Sequence, residues 1–158
     1  MAPPIDLRKQ LSELGITLPA APPGPFGAYV PARRVGNLVF VAGQLPMQDG
    51  KLLARGQVPS RCSVESARAA ARQCVVNALV AVQAIGIDPG ELTAVVRVGA
   101  FVSSDMSFTD QPKVANGASE LLLQLFGDAG RHARAAVGVN TLPLDAAVEV
   151  EFLFEIGG

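Results

Sequence analysis

The 158-residue chain has few of the residues on which catalytic and metal-binding signatures depend: it has no tryptophan, one tyrosine, one histidine and two cysteines. Two cysteines, Cys62 and Cys74, make neither a disulfide framework nor a zinc signature, and we interpret them as reduced, small apolar residues. The one histidine, His132, excludes any mechanism that needs two. The sequence also contains no glycine-rich phosphate loop, no His-Glu-x-x-His motif and no Gly-x-Ser-x-Gly motif. It therefore carries no signature of metal binding, nucleotide binding or serine hydrolase chemistry.

An excess of charge of one sign is also missing, because 13 Lys and Arg stand against 14 Asp and Glu, a net charge of −1. Binding to nucleic acid depends on a basic surface that neutralises phosphates, so we do not expect nucleic acid as the main partner. No apolar run approaches the ~20 residues of a membrane span, and the first residues do not resemble a signal peptide. We expect a soluble, cytoplasmic protein that does not bind membranes.

Composition and length instead favour one globular domain with a substantial core. The chain is 49% hydrophobic and only 17% charged, and at this length about two-thirds of the unfolded surface can be buried. Three leucines within residues 5–15 are spaced as on one face of a helix, and a proline-rich stretch follows at 19–25. We therefore divide the chain into an N-terminal helix with a stiff connector, residues 1–24, and a main domain, residues 25–158.

The pattern of the main domain predicts a mixed sheet covered by two helices. Apolar residues recur every three or four positions in two segments, from Ser63 to Gly86 and from Pro112 to Gly127, and predict long helices there. The order β-β-α-β-α-β-β predicts an α+β fold with both helices on one face of the sheet. β-Branched or alternating runs predict the five strands, of which the last two form a hairpin: 29–34, 38–42, 92–102, 134–139 and 148–156.

The other face of that sheet is predicted to be uncovered in a single chain. The last strand alternates plainly, and it places Glu149, Glu151, Leu153 and Glu155 on the side opposite its large apolar residues. A contiguous apolar patch on a soluble protein usually marks an interface. The pattern therefore predicts self-association.

Arg134 is a candidate binding residue. It begins the penultimate strand, and its same-face successors Ala136 and Gly138 are small, which leaves open space beside the guanidinium. The planar fork of an arginine can hold a carboxylate through two hydrogen bonds. The alternative is a surface arginine that pairs with Glu149 or Glu151 across the predicted hairpin.

The other candidates each allow a structural and a functional interpretation. Glu149 is either a solvated mid-strand residue or a partly buried carboxylate whose raised pKa lets it take a proton from water. Tyr29 either fills the core or presents its phenol at a pocket wall. His132 either caps a loop carbonyl or joins a cluster with Arg131, Arg134 and Glu149 near one end of the predicted hairpin. Asn116 faces either solvent or that cluster.

Two parts of the sequence resemble a known family. Residues 26–30 and 36–46, FGAYV and GNLVFVAGQLP, resemble the first hairpin of the Rid family, the YjgF-like reactive intermediate deaminases. Residues 133–151 contain three stretches, ARAAVGV, LPLD and VEVE, that resemble the family's C-terminal signature. The N-terminal helix and the lead-in at 130–132 indicate a divergent branch, of the kind labelled endoribonuclease L-PSP or chorismate mutase-like.

The resemblance implies a homotrimer with the chorismate mutase-like α+β fold and with pockets between subunits. It implies hydrolysis of a 2-imino or enamine carboxylate to a 2-keto acid and ammonia, with no metal and no organic cofactor. In that reaction Arg134 would bind the substrate carboxylate, and Glu149 would orient or activate water. The same resemblance implies that the remaining pocket residues are Tyr29, Gly43, Asn116 and Ala136. His132 is a further candidate that the resemblance does not supply.

The sequence departs from the family pattern at three positions. Ala42 stands where deaminating members often have serine, Ala136 where many have cysteine, and His132 where proline is expected before Ala-Arg. The leading hypothesis is a deaminase of small 2-imino carboxylates, and the second is a non-catalytic trimer that binds a small carboxylate metabolite in the same cleft. The third is the endoribonuclease named for some relatives, against which the balanced charge and low aromatic content argue.

Overall fold

The computed structural model of the chain describes residues 5–21 and 28–158. Over these residues the chain forms three α-helices, a five-stranded sheet and a small two-stranded hairpin, and none of these helices is long and apolar enough to span a membrane. The helices are α1 (Leu7–Glu13), α2 (Val64–Ala84) and α3 (Gln111–Phe126). The strands are β1 (Ala32–Val35), β2 (Leu38–Gln44), β3 (Met47–Gln48), β4 (Lys51–Leu52), β5 (Leu92–Ser103), β6 (Ala133–Val139) and β7 (Val148–Ile156).

The main sheet is mixed, with the strand order β1-β2-β7-β5-β6. Only β5 and β6 run parallel, and the other neighbouring strands are antiparallel. Helices α2 and α3 pack against each other and against the central strands. This arrangement confirms the predicted α+β fold with a mixed sheet and the two long helices on one face. The β7 residues beneath the helices are buried: Val148, Val150, Phe152, Phe154 and Ile156.

The predicted hairpin of the last two strands is wrong. Strand β6 pairs in parallel with β5 and forms one edge of the sheet, whereas β7 lies between β2 and β5. Parallel neighbours need a crossover connection, and α3 supplies it between β5 and β6. The strongly apolar inner face of β7 favours a central strand beneath both helices, while the small, largely exposed residues of β6 suit an edge.

The local signals at the helix ends explain the extents of the two long helices. The hydroxyl oxygen of Ser63 accepts a hydrogen bond from the backbone N–H of Ser66 at 3.1 Å and so caps the start of α2. Helix α3 has Pro112 in its first turn and is closed by Gly127, which has φ of +57°. Both helices lie where the three- and four-residue spacing predicts them.

The helix predicted near the N-terminus is present as α1. The Asp6 carboxylate caps it by accepting a hydrogen bond from the backbone N–H of Lys9, and Leu7 and Leu11 are buried. The helix packs against α3 and against the short 3-10 turn at Pro89–Glu91. It therefore adds to the helical layer, away from the uncovered face of the sheet.

Two sequence-based expectations at the start of the main domain have different outcomes. Most of the predicted proline-rich connector, and the first residues of the FGAYV motif, fall at 22–27, which lies outside the described residues. The first strand begins at Ala32 and not at Tyr29. Pro31 has no N–H to give to a neighbouring strand, so pairing starts after it. After β2 the chain forms the β3–β4 hairpin around Asp49 and Gly50.

The face of the main sheet opposite the helices, which we call the open face, carries large apolar side chains. Phe40 and Val137 are 47% and 46% exposed. Phe40 pairs across strands with Leu153, and Phe101 pairs with Glu149. The described chain therefore has the uncovered, partly apolar sheet face that the alternation of β7 predicts.

Candidate functional site

Arg134 lies on the edge strand β6 and reaches toward α3. Its Nη1 donates hydrogen bonds to Asn116 Oδ1 at 2.8 Å and to Ser119 Oγ at 3.1 Å. Asn116 and Ser119 are three residues apart and so share one face of α3. The guanidinium is thus linked to the helix, and not to Glu149 or Glu151 as the alternative interpretation expected. Asn116, in turn, faces Arg134.

Among the described residues, the hydrogen bonds of the guanidinium go to α3 and leave the donors on its other side without a partner in this part of the chain. A guanidinium has five N–H groups in a fixed plane, and the two on Nη1 point to the two α3 oxygens. The N–H groups of Nε and Nη2 lie parallel on the adjacent side, with the spacing that a carboxylate can accept. Ala136, two residues further along β6, is small and half-buried on the same side of the strand. The arrangement can therefore hold a small carboxylate.

His132 joins this group through Ser119. Its Nδ1 lies 2.6 Å from the Gly130 carbonyl oxygen, and its Nε2 lies 2.9 Å from Ser119 Oγ. Burial lowers the pKa of His132; the Gly130 hydrogen bond opposes this effect, and the nearby Arg134 charge adds to it. The imidazole is therefore neutral at neutral pH. Ser119 was not among the sequence candidates, although its helical spacing from Asn116 was a signal that could have found it.

Glu149 lies on the open face against the backbone of Gly43. The β2–β7 register shifts between Val41 and Gln44, and Gly43 sits in this irregular stretch. A side-chain carbon at residue 43 would overlap the Glu149 carboxylate, so a glycine is what allows the carboxylate to lie there. Burial, and then the charge of Glu151, raises the pKa of Glu149. The group is thus a partly buried carboxylate with increased affinity for a proton.

Glu151, the next residue along β7 on the same side, is held differently. Its Oε1 accepts a hydrogen bond from Arg97 Nη1 at 3.1 Å. A side-chain carbon at Gly99 would lie 2.8 Å from Glu151 Oε1, so this carboxylate also lies over a glycine. Glu151 is therefore paired with an arginine, whereas Glu149 carries the raised pKa.

One chain does not bring all the candidate residues together. Arg134 is opposite Val98 on the helix side of the sheet, whereas Glu149 is opposite Phe101 on the open face. Tyr29 is 48% exposed and precedes β1, at the far edge of the sheet from β6. The predicted cluster of His132, Arg134 and Glu149 is therefore wrong for a single chain, because it assumed that β6 and β7 are hairpin partners.

The candidates instead form two groups. The first, beside α3, contains Asn116, His132, Arg134 and Ala136, and the second, on the open face, contains Gly43 and Glu149. Within residues 5–21 and 28–158 there is no group of three or more His, Cys, Asp or Glu side chains that could hold a metal ion. The chemistry that these residues offer is hydrogen bonding to an anion and proton transfer by a carboxylate.

Comparison with known proteins gives this arrangement a family. Residues 8–156 match the family described as YjgF/chorismate mutase-like, a description that adds endoribonuclease as a provisional activity. The chain belongs to the YjgF/chorismate mutase-like family. The match covers α1 as well as the main domain, so the N-terminal helix is part of the matched region.

Three relatives show how close the YjgF-like similarity is. Protein TCP17 of Trypanosoma cruzi is 45% identical over 147 residues, which cover 92% of this chain and 91% of that protein. The 2-iminobutanoate/2-iminopropanoate deaminase of Dermatophagoides farinae is 31% identical over 142 residues, 89% of this chain and 94% of that protein. The crystal structure of Atu1372 from Agrobacterium tumefaciens, of unknown function, superposes with a TM-score of 0.85 at 42% identity, covering 96% and 92% of the two chains.

The three departures from the YjgF-like pattern lie at the two groups of candidate residues. Ala42 precedes Gly43 in the irregular stretch of β2 beside Glu149. Ala136 and His132 lie beside Arg134 on the α3 side. The Arg134 side therefore keeps its guanidinium while its neighbours differ from the family's usual residues.

Proposed function

We propose that this protein hydrolyses small 2-imino or enamine carboxylates to 2-keto acids and ammonia. The observation that carries the proposal is the Arg134 guanidinium, which is bonded to α3 through Nη1 and keeps Nε and Nη2 for a carboxylate. The Dermatophagoides relative supports it, since it is named as a deaminase of 2-iminobutanoate and 2-iminopropanoate. The carbon of a protonated imine is already electrophilic, so the reaction depends mainly on positioning.

The proposed reaction needs one anion-binding group and one group that transfers protons. Arg134 binds the substrate carboxylate and thereby holds the imine carbon in place. Glu149 takes a proton from water as the water oxygen bonds to that carbon and the C=N electron pair moves to nitrogen. Glu149 then gives this proton to the nitrogen, the C–N bond breaks and ammonia leaves. The hydroxyl group gives its proton to Glu149 as the C=O bond forms, and ammonia carries that proton away as ammonium. The raised pKa of Glu149 suits both steps, because the group can accept and return a proton.

Because Arg134 and Glu149 lie on opposite sides of the sheet, the proposed reaction requires more than one copy of the chain. We propose a homotrimer in which the open face of each subunit packs against its neighbour, so that Glu149 of one subunit lies near Arg134 of the next. The apolar side chains of the open face support this arrangement, since a face of this kind usually marks an interface. A cyclic assembly repeats the same contact at each boundary.

Replacing Arg134 by alanine tests the proposed activity. An amino-acid oxidase generates the imine, and semicarbazide traps what the protein has not hydrolysed. We expect Arg134→Ala to lower kcat/KM by about ten- to a hundredfold or more, because it removes a charge-assisted hydrogen-bond pair worth about 1.5–3 kcal/mol.

The matched control for that substitution is Arg131→Ala. Arg131 is a nearby exposed arginine that pairs with Asp128, so its loss should leave the rate of imine hydrolysis unchanged. Trapping of the imine that is the same for wild type and Arg134→Ala would reject the proposed activity.

Mixed trimers test whether the two groups act across a subunit boundary. Arg134→Ala and Glu149→Gln subunits are each expected to have strongly lowered activity alone. If the two residues come from different subunits, co-assembly restores about a quarter of the sites, because some boundaries then carry both native residues. If they come from the same subunit, no activity returns, and the proposed shared site is rejected.

A non-catalytic carboxylate binder is the second candidate, and the small side chains beside the two groups favour it. Ala42 and Ala136 offer neither the hydroxyl nor the thiol expected at these positions in deaminating members. A binder would be stabilised against thermal unfolding by 2-ketobutyrate or pyruvate. It would leave the rate of imine breakdown unchanged, and this result separates it from the deaminase.

The pairing of the cationic side chains gives no support to an RNA-binding surface. Arg8, Arg61, Arg68, Arg97 and Arg131 each form an ion pair with an aspartate or glutamate. Paired arginines do not provide the continuous basic groove that single-stranded RNA requires. We therefore do not propose an endoribonuclease activity.

A further inference from the structure

A chain of three hydrogen bonds links a backbone carbonyl to the proposed carboxylate-binding arginine. It runs from the Gly130 carbonyl oxygen to His132 Nδ1 (2.6 Å), from His132 Nε2 to Ser119 Oγ (2.9 Å), and from Ser119 Oγ to Arg134 Nη1 (3.1 Å). His132 lies at the entry to β6 and Ser119 in the middle of α3. This series of hydrogen bonds therefore joins β6 and α3 at the place where the Arg134 guanidinium is held.

The direction of each hydrogen bond in the chain follows from the chemistry of its end groups. A carbonyl oxygen only accepts, so the Nδ1 of His132 carries the hydrogen. In the neutral ring Nε2 is then an acceptor, and the Ser119 hydroxyl donates to it. With its own hydrogen directed at the imidazole, Ser119 Oγ presents its lone pairs to Arg134 Nη1. The order of donors along the chain is thereby fixed.

We propose that His132 and Ser119 are positioning residues that orient Arg134 for side-on binding of the substrate carboxylate. His132 holds the Ser119 hydroxyl as an acceptor, Ser119 and Asn116 together occupy both N–H groups of Nη1, and the Nε/Nη2 side stays free. This inference depends on the proposed function in one respect, that Arg134 is the group that binds the carboxylate. Neither residue touches the reacting atoms.

The tautomer of His132 tests the first step without any substitution and without any substrate. The chain has a single histidine, so the ring nitrogens of a ¹⁵N-labelled protein give unambiguous NMR signals. At neutral pH we expect the Nδ1–H form, which is the minor tautomer of free histidine. A ring in the Nε2–H form would overturn the inference, because Ser119 would then receive a hydrogen bond and not give one.

Two substitutions of His132 separate a positioning role from a loop-supporting role. An asparagine amide reaches the place of Nδ1 and can still donate to the Gly130 carbonyl, but it offers nothing to Ser119. A glutamine amide reaches the place of Nε2 and can accept from Ser119. We therefore expect His132→Asn to raise the KM for the imine, and the Kd of 2-ketobutyrate by calorimetry, about threefold to tenfold. We expect His132→Gln to stay close to wild type in both constants, with kcat little changed in either variant.

Ser119→Ala is the second variant, and Arg134→Ala is the reference. Ser119→Ala should weaken 2-ketobutyrate binding as much as His132→Asn does. The double variant should bind 2-ketobutyrate no more weakly than either single variant, because both substitutions break the same series of hydrogen bonds. In a protein that already carries Arg134→Ala, neither Ser119→Ala nor His132→Asn should weaken 2-ketobutyrate binding further. Weaker binding by His132→Gln than by His132→Asn, or unchanged binding by Ser119→Ala, would overturn the inference.

The two proposals fail in different ways. If Arg134→Ala leaves both imine hydrolysis and 2-ketobutyrate binding unchanged, the proposed function is wrong. If Arg134→Ala weakens binding while Ser119→Ala and His132→Asn do not, the proposed function stands and only the positioning role is wrong.

Discussion

At the scale of single residues, glycines decide where the carboxylates of β7 can lie. Glu149 rests against Gly43 of β2, and Glu151 rests against Gly99 of β5. A larger side chain at either glycine would occupy the space of the carboxylate beside it. The two acids then differ in their surroundings, because Glu151 pairs with Arg97 while Glu149 is shielded from water and repelled by Glu151. The glycines thus leave room for the two carboxylates, and burial and the charge of Glu151 raise the pKa of Glu149.

The raised pKa of Glu149 predicts a pH-dependent cost to stability. In the folded state the carboxyl holds its proton more tightly than in the unfolded chain. The contribution of Glu149 to the free energy of unfolding is therefore fully present below the ordinary glutamate pKa. It is lost as pH rises through the raised pKa of the folded state. Glu149→Gln removes this loss, so its melting temperature should exceed that of wild type by about a degree or two at pH 7, and the difference should vanish near pH 4.

The matched control for this titration is Glu155→Gln, on the same side of β7 but exposed. It should leave the melting temperature unchanged at both pH values, with protein concentration held constant. A difference between Glu149→Gln and wild type that is the same at pH 4 and pH 7 would contradict the assignment.

At the scale of elements, the two long helices come into close contact at a glycine. Gly117 lies in the middle of α3, where glycine costs helix stability. A side-chain carbon there would overlap the backbone carbonyl of Arg68 in α2. Backbone atoms cannot move aside as a flexible side chain can, so the close packing of α2 against α3 requires this glycine.

Gly117→Ala should therefore destabilise the protein, although alanine is the better helix former. We expect a loss of about 1–3 kcal/mol from overpacking, seen as a fall of several degrees in the thermal unfolding midpoint. Gly158→Ala is the control, because its added carbon would lie 3.8 Å from the nearest atom, in the side chain of Asn37, which is an ordinary van der Waals contact. A Gly117→Ala protein at least as stable as wild type would show that the helices can separate without cost.

The pairing of β6 and β7 shows which element-scale features a pattern can predict. The extents of both strands follow from their composition, and the alternation in β7 correctly assigns its buried side. Which strand lies beside which depends on the path of α3 over the sheet and on the turn at Pro143–Asp145. Adjacency in the sequence predicted a hairpin of β6 and β7. The apolar inner face of β7 is instead buried beneath both helices, and β7 lies in the centre of the sheet.

At the scale of the whole molecule, the open face is the surface at which we propose that subunits assemble. Phe40 and Leu153 face each other across β2 and β7, close to the ion pair of Arg97 and Glu151. Phe40 and Val137 are about half exposed on this face, and a contiguous apolar patch of this kind usually marks an interface. The same face carries Glu149, so the surface proposed for assembly and the proposed proton-transfer group coincide.

A charge in the middle of the open face should prevent the proposed trimer. We expect wild type to have a solution mass of three times the 16.3 kDa chain mass by light scattering. Leu153→Asp should reduce that mass to one chain and remove imine hydrolysis, because it replaces an apolar side chain of the open face by a charge, and burying a charge at an interface is costly.

The matched control for assembly is Leu123→Asp, an exposed leucine of α3 on the other side of the molecule. It should leave both the mass and the activity unchanged. A wild-type protein of single-chain mass at micromolar concentration would contradict the trimer, and a trimeric Leu153→Asp variant would show that another surface forms it.

The sequence by itself determined the fold class, the two long helices with their caps, the buried side of β7 and the candidate residues, because periodicity and capping act over a few neighbouring positions. It also indicated that Arg134 has small same-side neighbours. Only the tertiary structure decided that β7 is central, that Ser119 and His132 connect to Arg134, and that Arg134 and Glu149 lie on opposite sides of the sheet. These features depend on which distant segments pack together, and packing is set by burial across the whole chain and not by spacing within one segment.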